Sequence, residues 1–498
     1  MKLKKNIIII FIIIIIASYF ILNNSIGNKN SFVKKFTGFI PENTKEFLKK
    51  TIFVFKNQDL LNKKLGERDK QLEDKDKQLI EISDRMEVHH FINENKAKEH
   101  NFGNTKLLVT KFTDRSFAYL GPRAYFEYYN KNLFLITGSA KLMFSPLKNI
   151  EQNKFIFKKI DTNLEDLIGR EYLLGSRSGT NKITNVRREN VKDLLITNDK
   201  IYISYVKKEN NNCFYNSILV SNLNFRKIIF KEFFNMNECQ TTPSGSSGGR
   251  LSTYKDENIL YTIGDYLSAE IYRKESPQDI NSLLGKIIKI NEVDKKYKII
   301  SMGNRNNQGL YYNEEEDIIY LTDHGPLGGD EINVITSLDD SEIKNFGWAI
   351  SSYGEHYGFP DTINKEQYKV APLNKSHKKF GFIEPIKYFT PAIAPTQIIE
   401  NNIFIKNINK KTLYVGALGK LIENGAVSIH QLILNPDFSV YEHNIIPLEE
   451  RVRDIIYIKE IDKIFLYLEG SLPYTADGPI HNAKKYLAGS IAVLEKLN

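Results

Sequence analysis

The chain has 498 residues, 41% apolar and 26% charged, which excludes an intrinsically disordered chain and leaves room for one large domain with extensions or for two to three ordinary ones. Its formal net charge of +9 comes from lysines spread widely among asparagines and isoleucines, a compositional bias and not a focused phosphate-binding patch, so no nucleic acid is expected as a partner. The two cysteines, Cys213 and Cys239, form no CxxC; this argues against a thiolate zinc site, and the pair is read either as a disulfide of an exported chain or as two buried thiols.

Lys2, Lys4 and Lys5 precede an apolar run from Ile7 to Leu22, the pattern of an export signal. The run is a little short of the roughly 20 residues that span a bilayer comfortably, and Lys5 can snorkel to extend it. No clear A-x-A site follows, so residues 1–24 are predicted to be an uncleaved membrane anchor, with a cleaved signal peptide as the alternative. Either one places the rest of the chain outside the cytoplasm, in the periplasm. Residues 25–57 read as a stalk. Over 58–92, Leu65, Leu72, Leu79 and Met86 fall in heptad register, while the alternate core positions hold Asp69, Asp76 and Ser83. This predicts a short coiled-coil-like helix with a narrow seam, which would either pair two chains as a homodimer or stand as a solvated spacer.

From about residue 105 the helical periodicity gives way to short strand-like runs: KLLVTKF from Lys106, NLFLITG from Asn132, KIYISYV from Lys200, ILYTIGD from Ile259, GKIIKIN from Gly285, DIIYLTD from Asp317, TLYVGAL from Thr412, KIFLYLE from Lys463 and SIAVLEK from Ser490. Asn, Asp and Gly punctuate them. An all-β region of this length is too long for one sandwich and is buried by a propeller or by a pair of barrels. Periodicity leaves the blade number open.

Unusual residues gather in loops between residues 244 and 454. In chain order they read GGRL from Gly248, TIGD from Thr262, LGKI from Leu284, RNNQGL from Arg305, HGPLGGDEIN from His324, FGW from Phe346 and RVRD from Arg451. Seven such motifs in this order resemble the signature of the soluble quinoprotein glucose/sorbosone dehydrogenase family, which includes aldose sugar dehydrogenases. The resemblance covers residues 105–498 and implies a six-bladed β-propeller with pyrroloquinoline quinone (PQQ) and Ca2+ as cofactors and an aldose sugar as substrate.

PQQ is a tricarboxylate with an electrophilic quinone, so it needs cations and a Lewis acid. By resemblance, the carbonyls of Gly325 and Pro326 hold the cofactor's calcium, and Arg305 and Asn306 contact the quinone oxygens. Arg451 and Arg453, two apart and so on one strand face, pair with its carboxylates. Lys420 lies near a further cationic position, with its local match shifted by one residue. Asp330 and Glu331 would belong to a second, structural calcium site. Without the resemblance, Arg250 and Asp265 read as an ion pair between adjacent strands, Gly325 and Pro326 as a turn, and Trp348 as a packing residue.

One departure bears on catalysis. Active members carry a base histidine two residues before the GGRL glycines, and here that position is Ser246. Asp265, which would orient the histidine, is retained. A serine hydroxyl does not accept a proton at neutral pH unaided, and base catalysis contributes about 10²–10⁴-fold. The sequence therefore supports a dehydrogenase with another base (Asp265, His324, His356 or His377), a catalytically silent propeller that binds a sugar, glycan or protein, or a structural envelope protein.

Overall fold

The computed structural model describes residues 60–71, 78, 85–93, 97–102, 105–114, 123–169 and, short gaps aside, 190–336, 342–404, 410–469, 474–479 and 489–497. The chain divides into two compact units, Met1–Gln78 and Leu79–Asn498. In the first, residues 60–71 are helical and Leu60, Leu61 and Leu65 are exposed. The expected anchor and stalk, and Leu72 and Leu79 of the heptad seam, lie outside the described residues. Among the described residues no helix is long and apolar enough to cross a membrane.

The helix expected over 58–92 does not reach its predicted end. Val88–Phe91 is a strand, because buried His89 and Phe91 alternate with exposed His90 and give a period of two. It pairs antiparallel with Phe155–Lys159. Lys98–Phe102 is also a strand, paired with Thr105–Thr113, so the sheet region starts before residue 105.

Among its described residues the second unit builds six sheets of four or five strands. Their innermost strands are Ala124–Tyr129, Val191–Thr197, Gly248–Tyr254, Asn307–Asn313, Pro395–Glu400 and Arg451–Ile458. Each touches the next, and the sixth touches the first. The sheets are therefore the blades of a closed six-bladed propeller, as the family resemblance implied. The last blade joins both ends of the domain: Thr105–Thr113 pairs with Ser490–Lys496, Leu107 opposite Lys496 and Thr113 opposite Ser490. Closing the ring this way removes the free edge that an open array of sheets would present.

The middle strands are buried on both faces because each blade is sandwiched between two others. Leu133, Phe134, Leu135 and Ile136 are all fully buried, so the sequence reads as a continuous apolar run and not as an alternation. The innermost strands differ. Pairing shifts by a bulge or irregularity near the start of five of the six: at Val191–Asp193, Gly248–Leu251, Asn307–Gly309, Pro395–Ile398 and Val452–Asp454. A bulge bends the strand and re-aims side chains, and all five lie at the end of the ring where the sequence motifs gather.

Cys213 and Cys239 are joined as a disulfide across a separation of 26 residues, Cα atoms 4.7 Å apart. It ties the strand Cys213–Asn222 to the segment whose Gln240 bridges Phe214. Reducing it will cost about 3 kcal/mol by the loop-entropy relation. Urea unfolding with and without reductant measures this, and a Cys213→Ser/Cys239→Ser pair should match the reduced protein.

Candidate functional site

Arg305 and Asn306 are the two residues before the fourth innermost strand, and Asp323 ends the strand beside it. The Asp323 carboxylate accepts the backbone N–H of Arg305 at 2.8 Å and of Asn306 at 2.5 Å. Both residues are thereby locked while their side chains stay free to point elsewhere. Burial pushes the Asp323 carboxyl up to about 8, against the lowering by these two backbone bonds.

The Arg305 guanidinium donates from Nη1 to the carbonyls of His324, at 3.1 Å, and Gly325, at 2.8 Å. It also lies over the Trp348 ring, 5.4 Å from the centroid. The loop that carries these carbonyls is held by Asp330, whose carboxylate accepts the N–H groups of Gly325, Ile393 and Ala394. Only glycine fits at 325, because a Cβ there would stand 2.2 Å from the Gly328 carbonyl oxygen.

His324 Nε2 lies 2.7 Å from the Pro395 carbonyl oxygen. That oxygen can only accept, so Nε2 carries the proton and Nδ1 keeps a lone pair. Nδ1 faces the Asn306 side-chain amide at 3.4 Å. Asn306 Oδ1 in turn accepts from Gly248 N at 3.0 Å and Gln308 Nε2 at 2.9 Å. Burial, with added push from Arg305, Arg453 and Arg451, lowers the His324 imidazole to about 3, although the Pro395 bond works the other way.

Arg451 and Arg453 converge as expected, but by a route the two-residue spacing did not show. Arg453 sits in the bulge between Val452 and Asp454, and both guanidiniums reach one carboxylate, Glu469. Arg451 Nη1 donates to Glu469 at 3.1 Å, Arg453 Nε donates at 2.7 Å with Nη2 on the same oxygen, and Arg123 Nε lies 3.7 Å away. Burial alone would raise the Glu469 carboxyl, but Arg453, Arg451 and Arg123 outweigh it and hold it at about 2. Among the described residues, three guanidiniums face this one carboxylate. Arg123 and Glu469 were missed in the sequence; Glu469 closes a strand-like run and looks like nothing more.

Several expectations are corrected. Arg250 does not pair with Asp265. Its Nη1 donates to Asp193 at 3.0 Å and Asp454 at 2.9 Å, and its Nη2 to the Arg453 carbonyl at 3.1 Å. Asp265 takes the Trp348 indole N–H at 2.8 Å. Ser246 is buried, and its carbonyl accepts from Tyr266 N at 2.9 Å. His356 is buried with Nε2 on the Ala371 carbonyl. His377 is buried between Glu331, at 2.9 Å, and Ser351, at 2.8 Å. Neither histidine offers an open base. Lys420 lies outside the described residues.

The cationic residues fit the quinone component of the expected cofactor. An anion with several carboxylates matches the positive charge of Arg123, Arg451 and Arg453, of which Arg123 and Arg451 stay partly exposed. Of the carbonyls expected to hold calcium, that of Gly325 accepts from the Arg305 guanidinium, and Pro326 is buried in the loop. Of the residues expected at a second calcium site, Asp330 accepts backbone N–H groups, and Glu331 bonds His377 and Asn333. Among the described residues no group of three or more His, Cys, Asp or Glu side chains could hold a metal ion.

The Glucose / Sorbosone dehydrogenase family profile matches residues 191–471, more than half of the chain. The chain belongs to this family. Among curated relatives, an uncharacterized protein of Synechocystis sp. is 30% identical over 238 residues, 43% of this chain and 52% of that protein. The aldose sugar dehydrogenase YliI of Escherichia coli is 29% identical over 186 residues, 34% of this chain and 44% of that protein. The alignments thus span about half the length of the curated relatives. A crystal structure of a glucose dehydrogenase superposes with a TM-score of 0.54 at 16% identity, covering 78% of this chain and 99% of that one; it shares the fold.

Proposed function

We propose that this chain oxidises an aldose sugar outside the cytoplasm, with PQQ as the hydride acceptor. The observation that carries the reading is the cup of Arg123, Arg451 and Arg453 around Glu469, of which Arg451 and Arg453 also act on His324. Bound there, PQQ would supply the electrophilic carbonyl that accepts a hydride from the sugar carbon. The protein's part is to bind and to take a proton. Arg451 and Arg453 hold carboxylates, bidentate contacts being natural for guanidinium. Asn306 presents its amide next to His324. His324 takes the hydroxyl proton on Nδ1, so that C–H and O–H are lost together and a lactone leaves.

Extracytoplasmic placement is supported by the disulfide, which oxidising compartments preserve, and by the Lys-led apolar run of residues 1–24. Exposed Leu61 and Leu65, one helical turn apart, support pairing of two chains.

The test is direct. Protein incubated with PQQ, passed through gel filtration and assayed with aldoses and a dye should keep the quinone absorbance and reduce the dye. Retained quinone without turnover across a sugar panel would make the chain a ligand-binding propeller, and loss of the quinone would remove the cofactor reading.

A further inference from the structure

Two residues of the motif segments take no part in the reaction just proposed, yet both are fully or nearly fully buried against Arg305. Asp265 is 0% exposed and Trp348 4%. Trp348 is the single tryptophan of the chain. Its indole Nε1–H donates to Asp265 Oδ2 at 2.8 Å, and its ring face lies under the Arg305 guanidinium. Asp265 also reaches Arg305 a second way, its own N–H donating to the Arg305 carbonyl at 2.8 Å.

We propose that Asp265 and Trp348 form a clamp that holds the Arg305 guanidinium on the His324 and Gly325 carbonyls, which makes both of them positioning residues of the site. The physical basis is electronic as well as steric. A cation over an indole face is attracted by the ring's negative quadrupole, and a carboxylate bonded to the indole N–H adds electron density to that ring and strengthens the attraction.

The turn that presents Trp348 is pinned at both backbone atoms. Its N–H donates to the Gly303 carbonyl at 2.9 Å, and its carbonyl accepts from Gln278 Nε2 at 2.7 Å. Three residues on, Ser351 bonds His377, which bonds Glu331 on the neighbouring blade strand. Asp265 comes from one blade and Glu331 from the next, so the clamp sets Arg305 from two sides. The inference rests on the reading of Arg305 as a site residue, and it is tested without the cofactor.

The experiment is arginine labelling with phenylglyoxal on the full chain, read by peptide mass spectrometry. In the parent protein Arg305 and Arg250, both buried, should label slowly and exposed Arg226 fast. Trp348→Leu and Asp265→Ala should speed Arg305 at least fivefold and leave Arg250 slow. Trp348→Phe, which keeps a weaker ring face and loses the N–H, should speed it at least twofold, and Asp265→Asn, whose amide oxygen still accepts the N–H but carries no charge, should fall between the parent and Trp348→Phe. An unchanged Arg305 rate in Trp348→Phe and in whichever of the other variants fold would overturn the clamp. So would Arg305 and Arg250 speeding up together, which is what a mere packing role produces. The two readings separate cleanly: this labelling pattern in a protein that does not retain PQQ leaves the clamp standing and removes the quinone, and the reverse result does the opposite.

Discussion

Replacing Arg250 by methionine will destabilise the fold by about 3–5 kcal/mol, the range found when one partner of a buried ion pair is removed. Arg250 is 3% exposed and sits where the innermost strands of different blades meet, between Asp193 and Asp454, which are themselves 3% and 2% exposed. The two carboxylates are held chiefly by this one guanidinium together with the backbone N–H groups of Leu251 and Phe126. Burial raises the pKa of both carboxyls against the pull of Arg250, that of Asp193 to about 7, and the two titrate as a pair. A carboxyl whose folded pKa lies above its unfolded value binds its proton more tightly when folded. Ionising it therefore costs stability as pH rises from the ordinary carboxylate range through about 7. Without Arg250 that window moves higher still. The deficit of Arg250→Met, measured by urea unfolding, should accordingly be larger at pH 8 than at pH 5, and adding Asp193→Asn with Asp454→Asn should recover most of it. An equal deficit at both pH values would mean that lost packing against Tyr125, 4.9 Å from the guanidinium, outweighs the charges.

What the sequence revealed and what it hid follow one physical divide. KIYISYV, DIIYLTD and SIAVLEK are middle strands, apolar on both faces because blades cover both sides, and such runs are readable without a structure. The innermost strands carry Arg250, Asp454, Asn307 and Asp193 at positions aimed along the ring axis. Polar residues there satisfy one another across blades, a pairing at separations of 57 and 204 residues for Arg250 that no local pattern encodes. Bulges add a second barrier. The two-residue spacing of Arg451 and Arg453 correctly placed them together, but the register shift at Arg453 and the shared Glu469 lie outside what alternation can say. The pairing of Arg250 with Asp265 failed for the same reason: Asp265 lies two residues past the neighbouring strand Asn258–Ile263, yet the bulge at Gly248–Leu251 turns Arg250 away from it toward the axis. The strand Val88–Phe91 escaped because two of its four residues are histidines, which carry no strand signal until their burial is known.

His324→Gln should lower turnover by at least 10²-fold while leaving quinone retention within a factor of three. The size follows from loss of a general base, commonly 10²–10⁴; the split follows from geometry. Glutamine can keep a donor toward the Pro395 carbonyl, so the loop and the arginine cup should stand, but it has no lone pair able to take a proton where Nδ1 now faces Asn306. The pH profile gives a second reading of the same residue. A histidine at its ordinary pKa would put the acid limb of kcat/KM near 6.5. Burial and the three guanidiniums hold His324 far lower, at about 3, and an anion bound among those arginines would cancel part of their effect and raise it. The acid limb of the parent protein should therefore fall between about 3 and 6.5, and should move upward when Arg451 is replaced by methionine, because one of the charges opposing protonation is then gone. Turnover in His324→Gln equal to that of the parent would place the base elsewhere.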